Sequence, residues 1–99
     1  MNELSQIPDT FQRDIRRAIE ILKDAGCTDI YLFGSLASSK IRNASDIDLA
    51  IRGCPKQKYF QLLGKLMFEL DKPVDLVDLD RKDSFSRYLL QEGELLRIG

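Results

Sequence analysis

The chain has 99 residues, 43% hydrophobic and 31% charged, with a net charge of -1. That describes one domain, residues 1–99, with a modest core. It has no apolar run long enough to span a membrane and no basic field to recruit nucleic acid in general. Histidine is absent, which removes Ser-His and Cys-His nucleophile pairs and His-ligated zinc. Catalysis, if any, rests on carboxylates, hydroxyls, Lys or Arg.

The N-terminal MNELSQIPDT lacks the basic-then-apolar pattern of a signal peptide. Cys27 and Cys54 stand far apart with no CxxC. They are expected as reduced thiols in a cytoplasmic protein.

Residues 1 to 8 read as a loose leader ending at Pro8. From Asp9 to Ala25 the residues Phe11, Ile15, Ala18, Ile19, Leu22 and Ala25 share one helical face. Asp9 or Thr10 is expected to cap this helix and Gly26 to stop it in a left-handed turn. Its outer face, Arg13, Arg16, Arg17, Glu20 and Lys23, reads as solvated. Thr28 to Phe33 reads as a strand, broken at Gly34. A short helix is expected over Leu36 to Ile41 and a turn at Asn43-Ala44-Ser45. Asp46 to Arg52 is a second strand, closed by Gly53-Cys54-Pro55.

Lys56 to Leu70 predicts a long helix, with Tyr59, Phe60, Leu63, Leu66, Met67 and Leu70 as its core positions. After Pro73, Val74 to Leu79 is a third strand. Asp83 or Ser84 caps a last helix through about Gln91, which Glu92-Gly93 ends, and Glu94 to Ile98 is expected as a short edge strand. The order predicts an α/β (α+β) fold, a small mixed sheet flanked by helices. A helical crossover makes the second and third strands parallel; the short link before them leaves the first pair open in direction.

Chemistry concentrates between Gly34 and Asp75. Alternation along the second strand puts Asp46, Asp48 and Ala50 on one face and Ile47, Leu49 and Ile51 on the core face. Charge on a buried sheet needs a neutralising partner. Hard oxygen donors favour Mg²⁺, which binds one or two carboxylates together with substrate phosphates. In the third strand Asp75 shares that outward parity and is the first choice for a third carboxylate, with Asp78, on the other parity, second. Three carboxylates on adjacent strands fit a two-metal displacement at phosphorus, with Asp75 also placed to take a proton. Gly34 lets backbone approach a phosphate, and Ser35 can donate to it. No second Gly precedes Lys40, so this is not a P-loop.

At Gly34-Ser35, Asp46, Asp48 and Asp75 the chain resembles the nucleotidyltransferases of the DNA polymerase beta superfamily. Within them it is most similar to the minimal nucleotidyltransferases, often encoded beside an all-helical HEPN protein. The resemblance covers Thr28 to Leu79 by motif and extends through Glu92-Gly93. It implies a polymerase beta-like fold, two Mg²⁺ ions, and ATP as the donor of AMP to a hydroxyl. Several relatives look like antitoxins that adenylylate a tyrosine of a HEPN ribonuclease, which implies such a partner and a hetero-oligomer.

One stretch departs from the pattern. The family commonly reads Gly-Ser-Arg-Ala-Arg-Gly, where this chain has Gly34-Ser35-Leu36-Ala37-Ser38-Ser39. Lys40, as a phosphate contact, or Arg42 is the candidate replacement for the missing charge; a solvated loop is the other reading. The departure keeps a second class open, a non-catalytic antitoxin that occludes its partner. Larger relatives carry a second domain, whereas only about twenty residues follow the third strand here. The site is therefore expected to be open on one side and completed by a partner chain. Phe85, Tyr88 and Leu89 are candidates for that contact, with packing on their own sheet the favoured alternative.

Overall fold

The computed structural model describes residues 7–99. The residues 1–6 of the expected leader lie outside the described residues. Four strands form one sheet: β1 (Asp29–Phe33), β2 (Ile47–Arg52), β3 (Val74–Asp78) and β4 (Leu96–Arg97), in the order β3-β2-β1-β4. β2 and β3 are parallel, as the helical crossover requires. The short link after β1 makes β1 and β2 antiparallel, and β4 closes the other edge antiparallel to β1.

Three α-helices cover the sheet: α1 (Asp9–Asp24), α2 (Tyr59–Glu69) and α3 (Ser84–Gln91). Ile30, Leu32, Ile47, Leu49, Ile51 and Leu76 form one core with Phe11, Ile15 and Leu22 of α1 and Leu62 and Leu66 of α2. On the opposite face Phe33 and Ala50 pack with Leu79 and with Leu89 of α3. Each fully buried Leu or Ile contributes roughly 1.5–3 kcal/mol. No helix among the described residues is long and apolar enough to cross a membrane.

Helix ends follow local chemistry. Gly26, at φ +103°, stops α1 as expected. Neither Asp9 nor Thr10 caps its start: Pro8 holds the cap position, and its carbonyl accepts from Phe11 N at 2.9 Å. Asp9 is already inside the first turn, where its carboxylate faces the positive end of the helix dipole. In α3 the Asp83 carboxylate accepts from Ser86 N, and Gly93 N donates back to the carbonyls of Tyr88 and Leu89.

The expected core face of α2 is corrected. Phe60 and Met67 are 79% and 63% exposed, and Phe68 is 89% exposed; Leu66 and Leu70 are buried as expected, and Leu62 joins them. α2 is apolar nearly all round, so spacing alone offers more than one face. The packed face is the one that lets the Tyr59 hydroxyl donate to the Leu76 carbonyl of β3.

Two further expectations change. The single short helix after Gly34 is two 3-10 turns, Gly34–Ala37 and Ile41–Asn43. Ser38 separates them in extended conformation, its hydroxyl donating to the Ser35 carbonyl. Cys27 and Cys54, expected as separate reduced thiols, form a disulfide. Asp29 and Arg52 are register partners in β1 and β2, and the cysteines lie two residues beyond that pair on each strand. Antiparallel register therefore brings them together.

Asp14 of α1 is buried, and its Oδ2 accepts the N–H groups of Asp71 (3.0 Å) and Lys72 (2.9 Å). Around it the outer face of α1 is paired as well as solvated: Arg17 meets Glu69 at 2.8 Å and Arg13 meets Asp71 at 2.9 Å. These contacts hold the loop between α2 and β3.

Candidate functional site

The sheet register assembles the acidic cluster. Asp48 and Asp75 are direct partners on β2 and β3. Both therefore project toward the α3 side of the sheet, opposite Leu49 and Leu76. Asp46 stands just ahead of β2, exposed, and accepts from the Ser45 hydroxyl at 3.1 Å. Among the described residues no Lys or Arg forms an ion pair with Asp46, Asp48 or Asp75. Asp48 titrates above the ordinary carboxylate range, first because it is partly buried and then because Asp75 and Asp46 repel its charge.

Asp78 does not join this cluster. It lies on the opposite parity, beside Ile51, is buried, and accepts the N–H of Asp80 at 2.9 Å. Its role is to hold the turn that leads into α3.

Gly34 binds the loop to the cluster. Its φ is +68°, and a Cβ built there overlaps the Asp48 carboxylate oxygen, with Asp48 Cγ only 3.2 Å away. Only glycine tolerates both conditions. The Gly34-Ser35 turn thus rests directly on Asp48, though ten residues separate Ser35 from Asp46. Leu36, which stands where the family pattern has Arg, is buried at 2% exposure and pins the turn to the main core.

A groove of about 490 Å³ opens beside the turn. Gly34, Ser35 and Lys40 line it on one side, and Phe85 and Tyr88 of α3 on the other. Lys40 thus sits at the turn whose family arginines are missing, while Arg42 does not line the groove. The three residues expected to be partner contacts or sheet packing divide: Leu89 is buried, whereas Phe85 and Tyr88 are about half exposed.

Sequence reasoning missed Phe33 and Tyr59. Phe33 is the register partner of Asp48 and meets Phe85 edge-on at 5.9 Å. Tyr59 lies close enough to Asp75 for that charge to raise its pKa, after burial, the larger cause. Only strand register and the choice of helix face reveal either residue.

Whether the donors suit a metal follows from their chemistry. Among the described residues, no three or more His, Cys, Asp and Glu side chains are grouped closely enough to hold an ion. Asp46, Asp48 and Asp75 share a face without forming a closed cage. Mg²⁺ does not need one, since it keeps waters and takes phosphate oxygens beside one or two carboxylates. Hard oxygen donors that repel one another, with no protein cation between them, fit that mode.

A family model described as Polymerase beta, Nucleotidyltransferase matches residues 16–97. The chain belongs to this nucleotidyltransferase family. The match begins inside α1 and runs through β4, so the whole sheet of this nucleotidyltransferase and both walls of its groove fall within it. Solved structures agree with the minimal-nucleotidyltransferase resemblance. One similar chain belongs to the toxin–antitoxin complex MntA–HepT, at 31% identity and TM-score 0.56, covering 85% of this chain and 69% of that one. Another is from a tri-AMPylated Shewanella oneidensis HEPN toxin in complex with MNT antitoxin, at 31% identity and TM-score 0.58, covering 85% and 69%. A third is from a toxin–antitoxin structure with AMP-PNP, at 30% identity and TM-score 0.59, covering 89% and 72%. No curated protein matches the chain.

Proposed function

We propose that this nucleotidyltransferase is an antitoxin that moves AMP from ATP to a tyrosine hydroxyl of a HEPN-type toxin. The contact of Gly34 with Asp48 carries the proposal, because it sets the Gly34-Ser35 turn directly against one of the three carboxylates. Asp46, Asp48 and Asp75 would hold Mg²⁺, and the groove beside Gly34, Ser35 and Lys40 takes the triphosphate. When bound, the metal neutralises the phosphates and lowers the pKa of the acceptor hydroxyl.

In the transfer the acceptor oxygen bonds to the α-phosphorus as the bond to the bridging oxygen breaks. Pyrophosphate leaves, and Asp75 receives the hydroxyl proton. The Gly34 and Ser35 backbone N–H groups and the Ser35 hydroxyl hold phosphate oxygens. Lys40 adds the charge that the missing arginines supply in relatives.

Support for a protein partner comes from α2. Phe60, Met67 and Phe68 form an exposed apolar stripe, a surface that in soluble proteins marks contact with another chain. The tri-AMPylated toxin in a similar complex motivates a toxin as acceptor. This reading places the chain in the cytoplasm, where ATP is available.

Incubation with labelled ATP, Mg²⁺ and a HEPN-type toxin tests the proposal. Wild type is expected to label the toxin and Asp48→Asn to leave it unlabelled; equal labelling by both removes the catalytic assignment. A second reading, neutralisation by occlusion, is favoured by the Leu36-Ala37-Ser38-Ser39 stretch and the absence of a closed carboxylate cage among the described residues. It requires that neutralisation survive Asn at positions 46, 48 and 75 together and proceed without ATP.

A further inference from the structure

The groove has a second wall that phosphate contacts leave unused. Phe85 and Tyr88 stand three residues apart on α3, so they share one helix face. Their ring centroids are 6.5 Å apart and their planes differ by only 21°, a stacked, nearly parallel pair. Phe85 is held edge-on by Phe33 at 5.9 Å, and Phe33 immediately precedes Gly34. The aromatic wall therefore begins one residue from the phosphate turn.

The wall is held in place from behind. Leu89, four residues past Phe85, is 4% exposed and seats α3 on the sheet. Gly93 lies so close to Leu89 that a Cβ there would meet its backbone at 2.9 Å, which fixes the end of the helix. Phe85 and Tyr88 nevertheless remain 47% and 55% exposed. Two half-exposed aromatic rings in a concave site forgo part of the stabilisation that burial gives such rings. A ligand with a flat face restores it.

Across the groove, the Lys40 side chain makes no ion pair or hydrogen bond among the described residues; its backbone N–H alone donates, to the Ser38 hydroxyl. The groove thus offers one unpaired cation and the Gly34-Ser35 turn on one side and an aromatic pair on the other, with the Glu94 carboxylate also in its lining. A ligand matching both walls carries phosphates at one end and an aromatic ring at the other.

We propose that Phe85 and Tyr88 form the nucleoside subsite, on which the base of a nucleoside triphosphate stacks while Gly34, Ser35 and Lys40 hold its phosphates. This inference rests on the nucleotidyl-transfer reading and adds where the base sits. Stacking on aromatic side chains accepts any base, so ring area favours purine over pyrimidine nucleotides and does not by itself single out ATP.

Calorimetry on the full chain in Mg²⁺ tests this, with ATP and inorganic tripolyphosphate as probes. Wild type is expected to bind both. Tyr88→Ala and Phe85→Ala are expected to weaken ATP about tenfold each and to change tripolyphosphate less than twofold. Tyr88→Phe keeps the ring and is expected to bind ATP like wild type, which separates stacking from a loss of fold. Lys40→Ala is expected to weaken both probes. If the alanine variants bind ATP as wild type does, the base lies elsewhere and the subsite is overturned while nucleotidyl transfer stands. Equal weakening of ATP and tripolyphosphate by Tyr88→Ala also overturns it. Failure of wild type to bind ATP removes this inference and the transfer reading together.

Discussion

Gly34 and Asp48 touch so closely that no side chain fits between them: a Cβ on Gly34 overlaps the Asp48 carboxylate. Gly34→Ala therefore meets two penalties. The left-handed φ of +68° costs roughly 1–2 kcal/mol for a residue with a Cβ, and Asp48 must turn away. Nucleotide binding and AMP transfer are expected to be lost while circular dichroism still reports a folded chain. A variant with wild-type transfer would show that the contact is incidental.

Asp48 ties function to stability through pH. Burial first, then Asp75 and Asp46, raise its pKa, so the folded state holds this proton more tightly than the unfolded one. Stability therefore falls as pH rises from the ordinary carboxylate range through the raised value, and stays lower above it. Asp48→Asn is expected to melt higher than wild type at neutral pH, with the difference shrinking toward about pH 4. Added Mg²⁺ should raise the melting temperature of wild type and not of this variant. An acid-independent difference would contradict the repulsion.

Asp14 is a structural carboxylate outside the site. Asp14→Ala strands the N–H groups of Asp71 and Lys72 and is expected to cost roughly 1–3 kcal/mol in urea unfolding. Asp14→Asn keeps an acceptor oxygen and should cost less. Nucleotide binding should persist in both, since the loop they hold lies outside the groove.

The two sides of α2 should respond in opposite ways. Leu66→Ala removes a fully buried side chain and is expected to cost roughly 2–5 kcal/mol. Phe60→Ser combined with Phe68→Ser alters rings that are 79% and 89% exposed. Stability should stay nearly unchanged, while affinity for the toxin in a pull-down or calorimetric titration should drop at least tenfold. Unchanged affinity would move the toxin to another surface.

The Cys27–Cys54 disulfide closes a loop spanning 27 positions. Reduction, or Cys54→Ser, is expected to lower unfolding stability by roughly 3 kcal/mol through the freed unfolded chain. The bond lies beyond the start of β1, whereas Gly34 follows its end, so binding at the groove should be unaffected. A reducing cytoplasm would keep the weaker, thiol form populated.

Much of the site was legible one strand at a time. Parity within β2 set Asp46 and Asp48 apart from Ile47, Leu49 and Ile51, and parity within β3 separated Asp75 from Asp78, because alternation is a property of a single strand. Gly26 and Gly93 marked helix ends for equally local reasons. Nothing local, however, states which residues of two strands stand side by side. Pairing decided that Cys27 meets Cys54, that Phe33 faces Asp48 and that Gly34 lies on its carboxylate. Packing decided that α2 buries Leu62 beside the expected Leu66 and leaves Phe60 and Met67 exposed, since a helix apolar on several sides leaves the choice to whatever sheet it meets. The amino-acid order by itself singled out Asp46, Asp48 and Asp75 as candidates and determined the nucleotidyltransferase family and the mixed sheet. Only the tertiary structure set Asp48 against the Gly34 turn and opened an aromatic wall beside it, because register and helix rotation are fixed by contacts between segments distant in the chain.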